Sequence, residues 1–181
     1  MKLFITGFKP FSGNKVNPTE LIADALSSGY ETKALTVTYD AVDEFMWRFP
    51  AQDYDAIVCL GLHGKAEDIH LERFAYNETS RTHPDMAGMI SEQIEIDPLA
   101  PNTLETSLPI QELCNALRGE ASLSDNPGRY LCNYIYFKAL KKMKGRAIFI
   151  HVPPISEKWT LERMIKSVQV VLARLEDMKA D

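Results

Sequence analysis

The sequence predicts an α/β fold: a single three-layer α/β/α domain with a mainly parallel, mixed central sheet. Three observations predict it. Short apolar runs alternate with amphipathic runs along the chain. Several of the apolar runs are apolar at nearly every position, as expected for strands covered on both faces. The 181 residues contain no internal repeat and no low-complexity linker, so we expect residues 1–181 to form one domain.

The first half of the chain contains the clearest helix start. After a buried strand over 2–8, Asn17 is a favourable N-cap, Pro18 suits the first helical position and Glu20 follows in the first turn. Gly29 closes this helix. The remaining elements of this half are a strand at 32–39, a helix at 42–49, a strand at 55–62 and a strand at 69–77.

The second half begins with a long polar excursion at 78–102, which contains three prolines. Long loops in compact domains are usually functional or mobile. Helices are then predicted at 109–117 and 130–143, and a strand at 146–152. A last helix keeps one apolar face for about four turns. That face consists of Leu161, Met164, Ile165, Val168, Val171, Leu172 and Leu175.

Composition excludes several classes of protein. The net charge of −5 provides no basic surface for nucleic acid or an anionic membrane. No run approaches the ~20 apolar residues of a membrane span, and the N-terminal residues lack the features of a signal peptide. The three cysteines are odd in number and have neither paired nor metal-ligand spacing. We therefore expect a cytoplasmic protein with no nucleic-acid partner and no membrane partner.

A cysteine and a histidine stand where catalysis would need them. Cys132 follows a turn and begins the 130–143 helix, where the backbone field lowers a thiol pKa. His151 ends the strand at 146–152. These are the two halves of a cysteine hydrolase. Taken singly, each has a plainer interpretation as a core residue, and we keep that interpretation for Cys59 and Cys114.

Other candidate sites are weaker. His63, His70 and His83 are conceivable metal ligands, but their spacing fits no compact site, so we predict no metal. The glycine-bearing turn 61–65 lacks the spacing of a phosphate-binding loop. Glu72 and Glu67 compete as the carboxylate partner of a catalytic histidine.

Four sequence blocks occur in a fixed order. They are Gly7-Phe8-Lys9-Pro10-Phe11-Ser12-Gly13 with Asn17-Pro18, then Ile69-His70-Leu71-Glu72-Arg73, then Gly128-Arg129-Tyr130-Leu131-Cys132-Asn133, and Phe149-Ile150-His151-Val152-Pro153. In this order and spacing the chain resembles the pyroglutamyl peptidase I family, also called pyrrolidone-carboxylate peptidase. The resemblance runs from about residue 3 to the last helix.

The resemblance implies a cysteine exopeptidase that removes an N-terminal pyroglutamyl residue from peptides without a cofactor. Cys132 would be the nucleophile, His151 the general base and then acid, and Glu72 the carboxylate that orients the imidazole. The Leu-Glu-Arg context favours Glu72 over Glu67. A carboxylate on the far ring nitrogen fixes the tautomer and stabilises the charged ring.

A pyroglutamyl ring is small, flat and neutral, so an uncharged pocket with aromatic walls suits it. The resemblance implies main-chain hydrogen bonds near Leu62. The backbone N–H of Cys132 is a natural oxyanion donor, and Arg81 is expected to add a cation there. The substrate-binding candidates are Phe8, Phe11, Leu62, Tyr130 and Leu131.

Three positions depart from the family pattern. Lys9 replaces a common Glu, Ser12 a common Gly, and Leu62 a polar residue such as Gln. They motivate an alternative hypothesis, a divergent member that binds capped peptides or has altered specificity, with little pyroglutamyl hydrolysis. The resemblance also implies a homo-oligomer, a dimer or tetramer, in which 78–102 could lie at an interface or over the site.

Overall fold

The computed structural model describes residues 1–11, 13, 15–91 and 93–178. Within them, the strands are β1 (Leu3–Phe8), β2 (Glu31–Leu35), β3 (Ala56–Leu62), β4 (Ile69–Glu72), β5 (Phe74–Tyr76), β6 (Thr103–Glu105), β7 (Ala121–Ser124) and β8 (Ala147–Val152). The helices are α1 (Pro18–Leu26), α2 (Tyr39–Arg48), α3 (Ile110–Ala116), α4 (Leu131–Met143) and α5 (Leu161–Asp177).

The central sheet has the strand order β2-β1-β3-β8-β4-β7. Strands β2, β1, β3 and β8 are parallel, whereas β4 runs antiparallel to β8 and parallel to β7. The prediction of a mainly parallel, mixed sheet is confirmed. The last strand in the chain, β8, therefore lies between β3 and β4 in the middle of the sheet.

Two apolar clusters cover the two faces of this sheet. One cluster joins Ile22 of α1, Leu113 of α3 and Val168 of α5 to the strands. The other joins Val42 of α2 and Ile135 of α4 to the opposite face. The predicted three-layer arrangement is confirmed. As expected for packing residues, Cys59 and Cys114 are buried.

The predicted start of α1 is confirmed in detail. Asn17 caps the helix by accepting a hydrogen bond from the Thr19 backbone N–H, and Pro18 is the first helical residue. The second predicted strand is wrong at its end, because β2 stops at Leu35 and Tyr39 begins α2. The Thr38 side chain accepts a hydrogen bond from the Ala41 backbone N–H and caps that helix.

The strand predicted at 69–77 is in fact two strands. It breaks at Arg73, whose backbone N–H donates to Ser124 and whose carbonyl accepts from Thr106. Beyond the break, β5 leaves the central sheet and pairs with β6 in a separate two-stranded sheet. Strands β6 and β7 were not predicted, since each has four residues or fewer and none of their side chains is fully buried.

In the described part of the chain, no helix has the length and apolar character needed to cross a membrane.

Candidate active site

Two neighbouring strands bring His151 and Glu72 together. Glu72 ends β4 and His151 is the penultimate residue of β8. In the antiparallel register His151 is opposite His70 and Glu72 is opposite Phe149, so all four side chains share the face that α4 covers. His151 Nδ1 donates to Glu72 Oε1 at 2.7 Å. Glu72 is 0% exposed and His151 is 3% exposed, which makes this a buried pair.

Helix α4 places the thiol beside that pair. Cys132 is the second residue of α4 and is partly exposed. Its side chain is hydrogen-bonded to the His151 ring. The imidazole therefore bridges Cys132 and Glu72, as the sequence interpretation expects of a nucleophile, a base and an orienting carboxylate.

A glycine leaves room for the thiol. Gly61 of β3 is the parallel partner of His151. A Cβ at Gly61 would lie 3.0 Å from Cys132 Sγ and 2.5 Å from the ring tip of Phe149. Both contacts are closer than real Cβ atoms normally make. The sequence indicates only a turn at Gly61, because the proximity of α4 arises from tertiary packing.

The electrostatics of the site favour a charged imidazole. Burial alone would lower the pKa of His151, but hydrogen bonds to Cys132 and Glu72, together with their charges, outweigh it and raise the pKa to about 9. His151 is thus protonated at neutral pH. An imidazolium beside a cysteine is the arrangement that stabilises a thiolate.

Two further side chains, missed at the sequence level, hold these elements in place. Asn133 is fully buried; its Oδ1 accepts from Tyr76 N–H, and its Nδ2 donates to the carbonyls of Tyr76 and Glu78. The Tyr136 hydroxyl donates to the Glu72 carbonyl at 2.8 Å. They tie α4 to β4 and β5. The only signal for Asn133 was its place directly after Cys132.

A small cavity of about 30 Å³ lies next to the thiol. All of the substrate-binding candidates line it, together with Cys132. Two unpredicted residues complete the wall, Asn17 and Val37. The full lining is Phe8, Phe11, Asn17, Val37, Leu62, Tyr130, Leu131 and Cys132.

A second cavity of about 570 Å³ shares Phe11 and Tyr130 with the small one. Its cation is Arg129, which pairs with Glu78 at 2.8 Å and lies over the Tyr76 ring. Arg81, the predicted oxyanion residue, is exposed, and the hydrogen bonds and ion pairs of the described residues include none from its side chain.

The 78–102 segment packs beside the small cavity. Buried Asp85 accepts hydrogen bonds from the Tyr39 backbone N–H through Oδ2 and from those of Ala87 and Met89 through Oδ1. The Tyr130 hydroxyl donates to the Pro84 carbonyl. Part of the 78–102 segment is thus hydrogen-bonded to residues around the site.

Of the three positions that depart from the family pattern, the structure describes two. Lys9 is exposed, and its backbone N–H donates to the Leu35 carbonyl. Leu62 lines the small cavity. Ser12 lies outside the described residues.

The histidines considered as metal ligands separate into two places. His63 and His70 lie near His151, whereas His83 lines the larger cavity. Within the described residues, no group of three or more His, Cys, Asp or Glu side chains has an arrangement that could hold a metal ion.

A partly exposed thiol at a helix start, beside a buried imidazole–carboxylate pair at strand ends, is the arrangement that a cysteine hydrolase requires. Comparison with known proteins narrows that class. The family model described as pyroglutamyl peptidase matches residues 1–175. The chain belongs to the pyroglutamyl peptidase family, and it is a cysteine omega peptidase of that type.

Individual relatives agree with this assignment. The chain is 35% identical over 175 residues to the pyrrolidone-carboxylate peptidase of Pyrococcus furiosus, covering 87% of this chain and 83% of that protein. It is 29% identical to pyrrolidone-carboxylate peptidase 1 of Caldanaerobacter subterraneus subsp. tengcongensis, covering 95% and 96%. The pyrrolidone carboxyl peptidase of Thermococcus litoralis superposes with a TM-score of 0.86 at 31% identity, covering 98% and 96%.

Proposed function

We propose that Cys132, His151 and Glu72 carry out the hydrolysis of the amide bond between an N-terminal pyroglutamyl residue and the next residue of a peptide. The observation that carries this proposal is the His151 ring, which bonds Cys132 on one side and Glu72 on the other. Family membership supplies the substrate class. The cysteine and histidine supply the nucleophile and the proton carrier.

In the acylation half, the Cys132 thiolate attacks the pyroglutamyl carbonyl carbon and forms a tetrahedral intermediate. The first N–H groups of a helix have no partner within it, so the Cys132 backbone N–H is available to the oxyanion. As the C–N bond breaks, His151 gives its proton to the leaving amine. A thioester between Cys132 and the pyroglutamyl group remains.

In the deacylation half, neutral His151 takes a proton from water, and the resulting hydroxide attacks the thioester. The thiolate leaves, the imidazolium is restored and pyroglutamate is released. Glu72 keeps its charge throughout and stabilises the imidazolium in both halves. Its burial beside the ring supports this role.

The small cavity is the proposed binding site of the lactam ring. A five-membered ring is larger than a water molecule, so we expect this cavity of about 30 Å³ to widen when substrate binds. Phe11 is the wall we expect to move, because it lies in the connection after β1 and is only partly buried, whereas Phe8 is buried in β1. Leu62 would contribute main-chain groups and an apolar side chain.

The role of Arg81 stays a prediction. Its exposed side chain would have to approach the oxyanion on substrate binding, and an Arg81→Gln variant with unchanged kcat would eliminate that role.

Hydrolysis of a fluorogenic pyroglutamyl amide under reducing conditions tests the proposal. We expect activity in the wild type, none in Cys132→Ala, and near-normal activity in the matched thiol control Cys114→Ala. Mass spectrometry on quenched reactions is expected to find the acyl group on Cys132. Folded, reduced wild type that binds pyroglutamyl peptides without turnover or adduct would refute it in favour of the binding hypothesis.

We also propose that the chain works in a reducing compartment such as the cytoplasm, since Cys59, Cys114 and Cys132 are all free thiols. The dimer or tetramer implied by the resemblance stays a prediction. Its candidate contact surface is a set of exposed apolar side chains in 78–102, and light scattering at several protein concentrations would measure the assembly. That set is Met86, Met89, Ile90, Ile94 and Leu99.

A further inference from the structure

The ring of His151 lies between two other rings. Phe149, two residues earlier in β8, contacts it at a centroid distance of 4.7 Å and an angle of 60°. His63, the first residue after β3, contacts it at 5.3 Å and 83°. The His63 backbone N–H donates to the Val152 carbonyl, and Lys65 N–H donates to His63 Nδ1 at 3.3 Å. His63 is thus fixed against the catalytic ring from the β3 side.

Burial and the neighbouring imidazoles keep His63 neutral at neutral pH. Its pKa is lowered first by burial, then by the positive charges of His151 on β8 and His70 on β4. A hydrogen bond between the ring and the backbone of His63 itself, together with the Glu72 charge, opposes the shift but does not cancel it. His63 is therefore a neutral ring against a charged one.

We propose that His63 is a positioning residue for His151: the neutral ring holds the imidazolium between Cys132 and Glu72, and protonation of His63 in acid repels it. This inference rests on the proposed function. No bond forms or breaks; only one proton is taken up by His63. Because two adjacent cations repel, the His151 ring would tilt or lose its proton, and the leaving amine would lose its acid.

The direction of the expected pH dependence follows from the lowered pKa of His63. Since that pKa is below the usual value of 6.5, the ring becomes charged only as pH falls through a value lower than 6.5. Activity should therefore show an acid limb that reports His63. His70 is the matched control: its cross-strand partner is His151, but its ring contacts His63 and its Nε2 pairs with Asp68 at 3.0 Å.

The experiment compares His63→Phe, His63→Ala and His70→Phe with wild type across the pH range, with folding checked by thermal unfolding. Phe keeps a ring that cannot be charged, so we expect His63→Phe to retain kcat within about twofold at neutral pH and to exceed wild type by about fivefold on the acid limb of wild type. His63→Ala should lose about fivefold in kcat at neutral pH with little change in KM. His70→Phe replaces a ring that contacts His63 but leaves His63 itself in place, so its acid limb should not move to lower pH.

A second readout is independent of turnover. In wild type the NMR signal of the His151 ring should show a step below pH 6.5 caused by His63, and this step should vanish in His63→Phe. An acid limb and an NMR titration that are the same in His63→Phe and wild type would overturn the proposal. Inactivity of folded wild type would refute the proposed function, while the NMR titration would still decide the role of His63.

Discussion

The two sides of the proposed active site are built differently. On the chemical side, Glu72 and His151 lie on paired strands of the central sheet and both are buried. On the substrate side, the small cavity is lined by strand ends, connections after strands and the start of α4. The 78–102 segment packs beside it through several separate hydrogen bonds, those of Asp85 among them, and exposes several apolar side chains. We therefore expect the sheet to hold the proposed acid–base pair rigidly, and the hydrogen bonds of the 78–102 segment to influence binding.

Within this comparison, we expect the largest loss of kcat when the negative charge of Glu72 is removed. Glu72→Gln keeps the size of the side chain but cannot stabilise an imidazolium, so we expect kcat to fall by about 100- to 10,000-fold. Because the Glu72 charge helps to raise the pKa of His151 to about 9, the variant should lower that pKa. The imidazolium then loses its proton at a lower pH, so the basic limb of the pH–rate profile shifts to lower pH. Steady-state kinetics across pH measures both.

Glu67→Gln is the control for this change. Glu67 competed with Glu72 in the sequence, but its side chain is exposed and its contacts to Lys158 and Trp159 use only its carbonyl. A loss of kcat in Glu67→Gln comparable to that in Glu72→Gln would contradict the assignment.

An intermediate effect is expected at Gly61, where the sheet meets the proposed nucleophile Cys132. Gly61→Ala introduces a Cβ too close to Phe149 and Cys132, so the thiol or the ring must shift. A displacement of this size commonly costs about 10- to 100-fold in kcat. Gly64→Ala, three residues later, meets nothing within 4 Å and should leave kcat unchanged. Equal kcat values for the two variants would show that the thiol does not depend on the space at Gly61.

The smallest expected effect is on the substrate side. Asp85→Ala removes the acceptor for the Tyr39, Ala87 and Met89 backbone N–H groups. The segment should loosen, raising KM by about 3- to 10-fold with kcat nearly unchanged. Hydrogen exchange should accelerate at those amides.

Asp97→Ala separates this local effect from general loosening of 78–102. Asp97 accepts from Leu99 N–H and pairs with Lys141, away from the cavity residues. It should not change KM. If the KM of Asp85→Ala is no higher than that of Asp97→Ala, the Asp85 hydrogen bonds do not support substrate binding.

Much of this arrangement could be predicted from the sequence, because the relevant signals are local. Each of these signals is contained in a few consecutive residues. They are the N-cap at Asn17, the continuous apolar strands and the Leu-Cys-Asn helix start. The predicted pocket residues converge for a related reason, since carboxyl ends of parallel strands and helix starts meet at one edge of the sheet.

What the sequence could not predict depends on contacts distant in the chain. The space required at Gly61 is determined by Cys132 and Phe149. The hydrogen bond that holds Asp85 comes from the Tyr39 backbone N–H, which is distant in the chain. The break at Arg73 is determined by hydrogen bonds to β7 and to Thr106. The error at Tyr39 has a local cause, because a β-branched and aromatic run matched a strand while the Thr38 cap was overlooked.

The central position of β8 has a consequence for how the molecule is made. Until the ribosome has synthesised β8, the sheet is two separate pieces, β2-β1-β3 and β4-β7, each with an open edge that can pair wrongly. The strand that joins the pieces also delivers His151. Enzymatic activity therefore cannot appear before the two pieces are joined, and the recovery of turnover during refolding would set the latest time at which this strand is inserted.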